Sequence, residues 1–144
     1  MKIAVAGLGY VGLSSAALLA ARHTVVGLDI DPARVARVNE HQSPIAEPEL
    51  SRWLAEETLD LCATTDADVA LEGSDCVVIA TPTNYDPITQ RFDTSSVESV
   101  IAAAVRAAPQ ATLVIKSTIP VGFTRAARER LGALNPTSPR KLVT

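Results

Sequence analysis

The sequence predicts an α/β chain: a doubly wound parallel sheet between two helical layers, with strand order 3-2-1-4-5 and a sixth strand weak or missing. Three observations predict it. Apolar runs of strand length alternate with helix-length patterns along nearly all of the 144 residues. Hydrophobic residues make up 47%, yet only Tyr10, Trp53, Tyr85, Phe92 and Phe123 are aromatic, so the core is built from Ala, Val, Leu and Ile, as in helices packed closely on a buried sheet. Three glycines, Gly7, Gly9 and Gly12, stand directly behind the first apolar run, where a strand hands over to a helix.

Residues 3–6 form that first short strand, and residues 11–22 a helix whose Ser14, Ser15, Ala16, Ala17 and Ala20 allow close approach to a sheet. Residues 24–28 are β-branched and apolar on both faces. A second helix spans 32–39, with Asp31 as N-cap and Pro32 as its first residue. After a loop from 41 to 48, Pro48 starts a helix to about residue 58. Residues 59–63 make a weaker strand, 66–71 a short helix stopped by Gly73, and 75–80 a strongly apolar strand. TPTNYDPITQRFD then reads as a proline-punctuated loop, long enough to have a task of its own. Ser95 and Glu98 have capping-box spacing for a helix to residue 107. Residues 111–115 form a buried strand, Thr124 caps a last helix to 134, and only residues 140–144 remain for a sixth strand.

The length allows one domain with a sizeable core. A net charge of −3 conceals an asymmetry: fifteen of sixteen acids, but six of thirteen bases, precede Arg106. The basic end reads as a solvated helix face carrying Arg125, Arg128 and Arg130, with no aromatic-plus-basic platform for nucleic acid. Cys62 and Cys76 lack metal-ligand spacing and read as buried thiols of a reduced compartment. The N-terminal apolar run is cut short by Gly7, unlike a signal peptide, and the apolar stretch at 16–21 is too short to cross a membrane. These features point to the cytoplasm, with no metal, membrane or nucleic-acid partner.

In the setting strand–GLGYVG–helix the glycines acquire a mechanical meaning. Gly7 permits the tight turn, Gly9 lets backbone approach a pyrophosphate, and Gly12 lets helix and strand pack closely. The N–H groups around Tyr10 and Val11 then face the anion with the helix dipole behind them, as in a Rossmann-type dinucleotide site. Asp29, seventeen residues past Gly12 at the end of the second strand, stands where an acid accepts hydrogen bonds from the adenosine ribose and repels the extra phosphate of NADP. Arg34 is able to bind that phosphate, but with Asp29 in place it lies along the ribose and the coenzyme is NAD. Asp29 also reads as a helix-entry residue paired with Asp31. Thr81-Pro82-Thr83 and Lys116-Ser117-Thr118 end two further strands on the same side of the sheet, although Thr83 and Thr118 taken singly fit ordinary turn chemistry.

IAVAGLGYVGL, VVGLDIDPARV, SPIAEPEL, VVIATPTNYD, FDTSSVESV and VIKSTIPVGFT occur in one order from residue 1 to about 131. In these segments the chain resembles the UDP-glucose 6-dehydrogenases and their GDP-mannose and UDP-N-acetylmannosamine relatives. The resemblance implies an NAD-dependent, four-electron oxidation of a sugar 6-hydroxyl to a carboxylate. It places Tyr10 and Val11 on the pyrophosphate, Asp29 and Arg34 on the adenosine ribose, and Thr83 and Thr118 on the nicotinamide half. It also makes Thr118 the one catalytic candidate, positioning a water near the reacting carbon. Lys often stands in the family where this chain has Arg34.

After the last helix the pattern departs. ALNPTSPRKLVT contains no Glu, and the family's later Lys–Asn pair and Gly-rich nucleophilic Cys are missing, with neither Cys62 nor Cys76 in that context. The expectation is a coenzyme domain over residues 1–134 and a divergent tail over 135–144, with no substrate domain and no activity on its own. A two-faced apolar fifth strand with a poorly specified neighbour predicts a homodimer. Another NAD-dependent hydroxyacid or hydroxyacyl-CoA dehydrogenase, or a non-catalytic NAD-binding module, is the alternative.

Overall fold

The computed structural model describes residues 1–56, 58–134 and 141–144. Strand β1 (Lys2–Ala6) leads through the glycine turn into α1 (Tyr10–Ala20) and β2 (Thr24–Leu28). Helices α2 (Pro32–Asn39) and α3 (Pro48–Glu56) precede β3 (Leu61–Thr64), and α4 (Ala67–Leu71) precedes β4 (Cys76–Ile79). A hairpin of β5 (Tyr85–Asp86) and β6 (Arg91–Phe92) leads to α5 (Ser95–Ala107), β7 (Thr112–Ile115), α6 (Phe123–Leu134) and β8 (Leu142–Val143).

The main sheet has the order β3-β2-β1-β4-β7-β8, parallel throughout. The chain winds outward from β1 in one direction and from β4 in the other, so the switch point lies between them, in register Ala6↔Ile79. The weak sixth strand exists, with Leu142 and Val143 opposite Leu113 and Val114. Arg128 on α6 donates from Nη2 to the Leu142 carbonyl at 2.6 Å and Arg130 lies 3.8 Å from Glu98, so the basic helix face is partly engaged. The departing tail falls largely on residues 135–140, outside the described residues.

Alternation within the strands sorts the core. Ala4, Val26, Val77, Ile79, Leu113 and Ile115 pack with Leu71, Val97, Ile101, Ala104, Phe123 and Leu131 of α4, α5 and α6. Ile3, Val5, Val25 and Val78 point the other way, onto Ala16 and Ala20 of α1. Leu8, Leu13 and Ala17 extend that second layer to Val38, Leu50 and Leu54 of α2 and α3. Each fully buried Leu or Val contributes about 1.5–3 kcal/mol of transfer free energy. Asp31 caps α2 through Ala33 N–H at 2.9 Å, with Pro32 as its first residue.

Five local expectations are corrected. The last helix begins at Phe123, so Thr124 lies inside it and is not its cap. The capping box at Ser95 is displaced by one residue: Thr94 is the N-cap and its hydroxyl meets Glu98 Oε1 at 2.9 Å, while Asp93 Oδ1 accepts from Ser95 N–H at 3.0 Å. The third strand starts at Leu61 rather than 59, because Asp60 is held in the entering turn by Ala20 and Thr24. The proline-punctuated loop contains a hairpin, closed by Asp93 N–H on the Asn84 carbonyl at 2.8 Å and by the Tyr85 and Phe92 rings, 5.1 Å apart. Neither cysteine is fully buried: Cys62 is exposed on the outermost strand β3 and Cys76 is half-buried.

Candidate functional site at the switch point of the sheet

Gly7 has φ +90°, and a Cβ there sits 2.7 Å from the Ala80 carbonyl oxygen, so both conformation and space demand glycine where β1 and β4 part. A Cβ on Gly12 meets the Gly7 carbonyl oxygen at 1.7 Å, which locks the first turn of α1 onto the glycine turn. Gly9 differs: a Cβ there meets nothing within 4 Å. Space for another molecule therefore opens over the turn. Gly9 is the N-cap of α1 and provides no side-chain cap, the first turn carries no acid, and Tyr10 and Val11 are exposed. Uncapped N–H groups at a helix N-terminus suit a phosphate anion.

Asp29 is only 7% exposed, and both of its carboxylate oxygens accept hydrogen bonds, Oδ1 keeping one lone pair to spare. Oδ2 accepts from Leu8 N–H at 2.7 Å and from Arg34 Nη1 at 3.2 Å, and Oδ1 accepts from Asp31 N–H at 3.0 Å. The helix-entry role that the sequence offered as an alternative is thus real, and it coexists with a place beside the glycine turn. Arg34 remains 37% exposed and extends this charged pair toward solvent.

Across the switch point, Thr83 Oγ1 donates to the Thr118 carbonyl at 2.6 Å and joins the ends of β4 and β7. Ser117 Oγ reaches the Thr81 carbonyl at 2.6 Å, and Ser96 Oγ lies 2.8 Å from the Pro82 carbonyl and 3.1 Å from Thr81 Oγ1. The structure therefore gathers the predicted residues into two groups at the C-terminal edge of the sheet. One comprises Gly7, Gly9, Tyr10, Val11, Gly12, Asp29 and Arg34; the other comprises Thr83 and Thr118. Sequence reading placed Ser117 in the polar strand end Lys116-Ser117-Thr118 without giving it a role of its own, and it missed Ser96, although that residue stands in the motif segment FDTSSVESV.

An open cleft of about 530 Å³ lies beside the turn, lined by Tyr10, Ser14, Glu47, Glu49, Leu50, Arg52 and Trp53. Of the predicted cofactor contacts only Tyr10 lines it. Among the described residues no group of three His, Cys, Asp or Glu side chains is placed to hold a metal ion, and no helix is long and apolar enough to cross a membrane. The hairpin turn is held by Asp86, which accepts from Ile88 N–H and the Thr89 hydroxyl, both at 2.8 Å. The Thr89 hydroxyl, then the Ile88 amide, hold the Asp86 carboxyl below the usual range, as Ser95 does for Asp93.

Comparison with known proteins identifies the family. The NAD binding domain of the UDP-glucose/GDP-mannose dehydrogenase family matches residues 1–137. UDP-glucose 6-dehydrogenase of Streptococcus pneumoniae is 45% identical over 130 residues, covering 90% of this chain and 33% of that protein. A UDP-D-ManNAc dehydrogenase structure from Pyrococcus horikoshii superposes with a TM-score of 0.86 at 32% identity, over 99% of this chain and 35% of that one. A ternary complex of GDP-mannose dehydrogenase from Pseudomonas aeruginosa gives 0.85 at 29% identity, over 99% and 35%. The chain thus spans about a third of the length of the relatives it matches. Glycine turn, acidic second-strand end and paired strand-end threonines, together with these matches, make the chain a member of the UDP-glucose/GDP-mannose dehydrogenase family, of which it carries the NAD-binding domain.

Proposed function

We propose that this chain is the coenzyme domain of a nucleotide-sugar 6-dehydrogenase, with UDP-glucose as the substrate class. The observation that carries this reading is the placement of an uncapped helix N-terminus and the Thr83–Thr118 pair on either side of one switch point. Tyr10 and Val11 amides hold the pyrophosphate, Asp29 and Arg34 hold the adenosine ribose, and Thr83 and Thr118 hold the nicotinamide half. NAD, when bound, accepts hydride from the sugar carbon, two equivalents for each alcohol taken to a carboxylate with one water consumed. Thr118, exposed at the end of β7, is the residue of this domain assigned to orient that water. The substrate preference rests on the 45% identity to a UDP-glucose 6-dehydrogenase.

The reading places residues 1–134 in the coenzyme domain, assigns work in the cytoplasm, where NAD is at hand, and expects the 144-residue chain to bind NAD without oxidising sugar. Calorimetry with NAD and NADP, followed by incubation with UDP-glucose and NAD, tests it. NAD binding tighter than NADP, with no NADH above background, is the expected pair of results. Equal affinities overturn the ribose assignment, and steady NADH formation overturns the expectation of inactivity. The homodimer is also a proposal, for which β8 at the sheet edge is the candidate seam; a strict monomer in sedimentation at high micromolar concentration removes it.

A further inference from the structure

Ser96 stands on the second residue of α5, away from the strand ends, yet it is tied to the β4 end at two points. The Pro82 carbonyl can only accept, so the Ser96 hydroxyl proton goes there, and the Thr81 hydroxyl supplies the proton of the 3.1 Å contact. The Thr81 carbonyl is taken in turn by Ser117 at 2.6 Å. Thr81 and Pro82 are thus clamped between α5 and β7, and Thr83 follows them directly. Thr83 spends its single hydroxyl proton on the Thr118 carbonyl at 2.6 Å, so Oγ1 is left with lone pairs alone for anything bound beside it. An acceptor-only oxygen pairs with an N–H donor and repels a carboxylate.

We infer that Ser96 is a positioning residue that holds Thr83 as an acceptor for the amide N–H of the coenzyme's carboxamide; this rests on the coenzyme reading above. The site then selects a dinucleotide ending in a carboxamide over one ending in a carboxylate. The selection is set from α5, by a side chain that touches neither the ribose nor the pyrophosphate group of residues.

The test is calorimetry of the 144-residue chain with three probes: NAD, its nicotinic acid analogue, and ADP-ribose, which lacks the ring. The unaltered chain binds NAD about 5- to 10-fold more tightly than the carboxylate analogue, the size expected of one hydrogen bond. Ser96→Ala brings that ratio below about 2-fold, with ADP-ribose affinity unchanged, and Ser96→Thr, which keeps the hydroxyl, restores it. Thr83→Val, which removes the acceptor itself, gives the same loss and keeps the test available should Ser96→Ala fold poorly. A ratio unmoved in Ser96→Ala, or ADP-ribose weakened as much as NAD, overturns the positioning role. Equal binding of NAD and the analogue by the unaltered chain overturns the inference while leaving the coenzyme reading intact. Failure to bind either NAD or ADP-ribose overturns both.

Discussion

The Asp29 carboxylate accepts a 2.7 Å hydrogen bond from the Leu8 amide, so the residue at the end of β2 holds the turn at the end of β1. A side chain assigned to the ribose is therefore also part of the wall that shapes the phosphate turn. Removing it leaves the Leu8 and Asp31 amides short of an acceptor and Arg34 short of its partner.

Asp29→Ala accordingly loses both stability and coenzyme discrimination. Unfolding free energy falls by about 1–3 kcal/mol, the cost of leaving buried donors unpaired. The preference for NAD over NADP shrinks by about tenfold or more, the equivalent of one charged hydrogen bond at about 1.5–3 kcal/mol. Urea melts and paired calorimetric titrations measure the two effects separately. Unchanged stability with lost discrimination means that the Leu8 contact carries no weight.

Two glycine variants separate folding from binding. Gly12→Ala drives a Cβ onto the Gly7 carbonyl and costs about 3 kcal/mol or more, since backbone has to move. Gly9→Ala meets open space, so its melting curve stays within about 0.5 kcal/mol of the parent. NAD affinity nevertheless drops by about tenfold or more, because the methyl occupies the space over the turn. Full NAD affinity in Gly9→Ala moves the pyrophosphate elsewhere.

The two thiols differ in reactivity. Burial, with the neighbouring Asp75 carboxylate adding to it, pushes the Cys76 thiol up, and only the thiolate attacks an alkylating reagent. Iodoacetamide at pH 8 therefore labels the exposed Cys62 first, and Cys62→Ser abolishes the fast phase. Peptide mass mapping that finds Cys76 labelled first contradicts this assignment.

Stability also responds to pH at both extremes. Asp86 and Asp93 have folded values below 3.8, so their contribution is present above that pH and is lost as pH falls through the lowered values. Cys76 is displaced in the other sense. The unfolded thiol ionises near 9.0 while the folded one stays protonated, so stability declines as pH rises through 9.0 toward the raised folded value. Chemical denaturation from pH 2 to 10 reads both limbs; Asp86→Asn flattens part of the acid limb and Cys76→Ala the alkaline one.

Much of this architecture was legible in the sequence because local signals and long-range packing agree. The uninterrupted apolar runs of β1, β2, β4 and β7 fit a sheet covered on both faces, and Asp31-Pro32 starts a helix in any context. Errors arose where competing polar groups sat side by side. Asp93, Thr94 and Ser95 are all competent caps, and the winner was decided by Glu98 reaching Thr94. The hairpin is not legible in the sequence because its strands have two residues each and owe their pairing to a ring contact and an Asp86 turn rather than to periodicity. At the site, the glycines and Asp29 carry a spacing, whereas Ser96 and Ser117 act through partners fourteen and thirty-six residues away, a relation no local pattern contains.

The place of β1 in the sheet has a consequence for biosynthesis. This strand leaves the ribosome before the other strands of the sheet, yet it is the middle of the finished sheet, with β2 on one side and β4 on the other. Its partner across the switch point, Ile79 for Ala6, follows 73 residues later in the chain. At about 5–20 residues per second, the second edge of β1 stays open for several seconds, a bare parallel edge that nascent-chain chaperones are suited to shield. The docking of β4 closes that edge and in the same step brings Ala80 against Gly7. Completion of the sheet and creation of the coenzyme cradle are one event, so a chain stalled before residue 79 has neither.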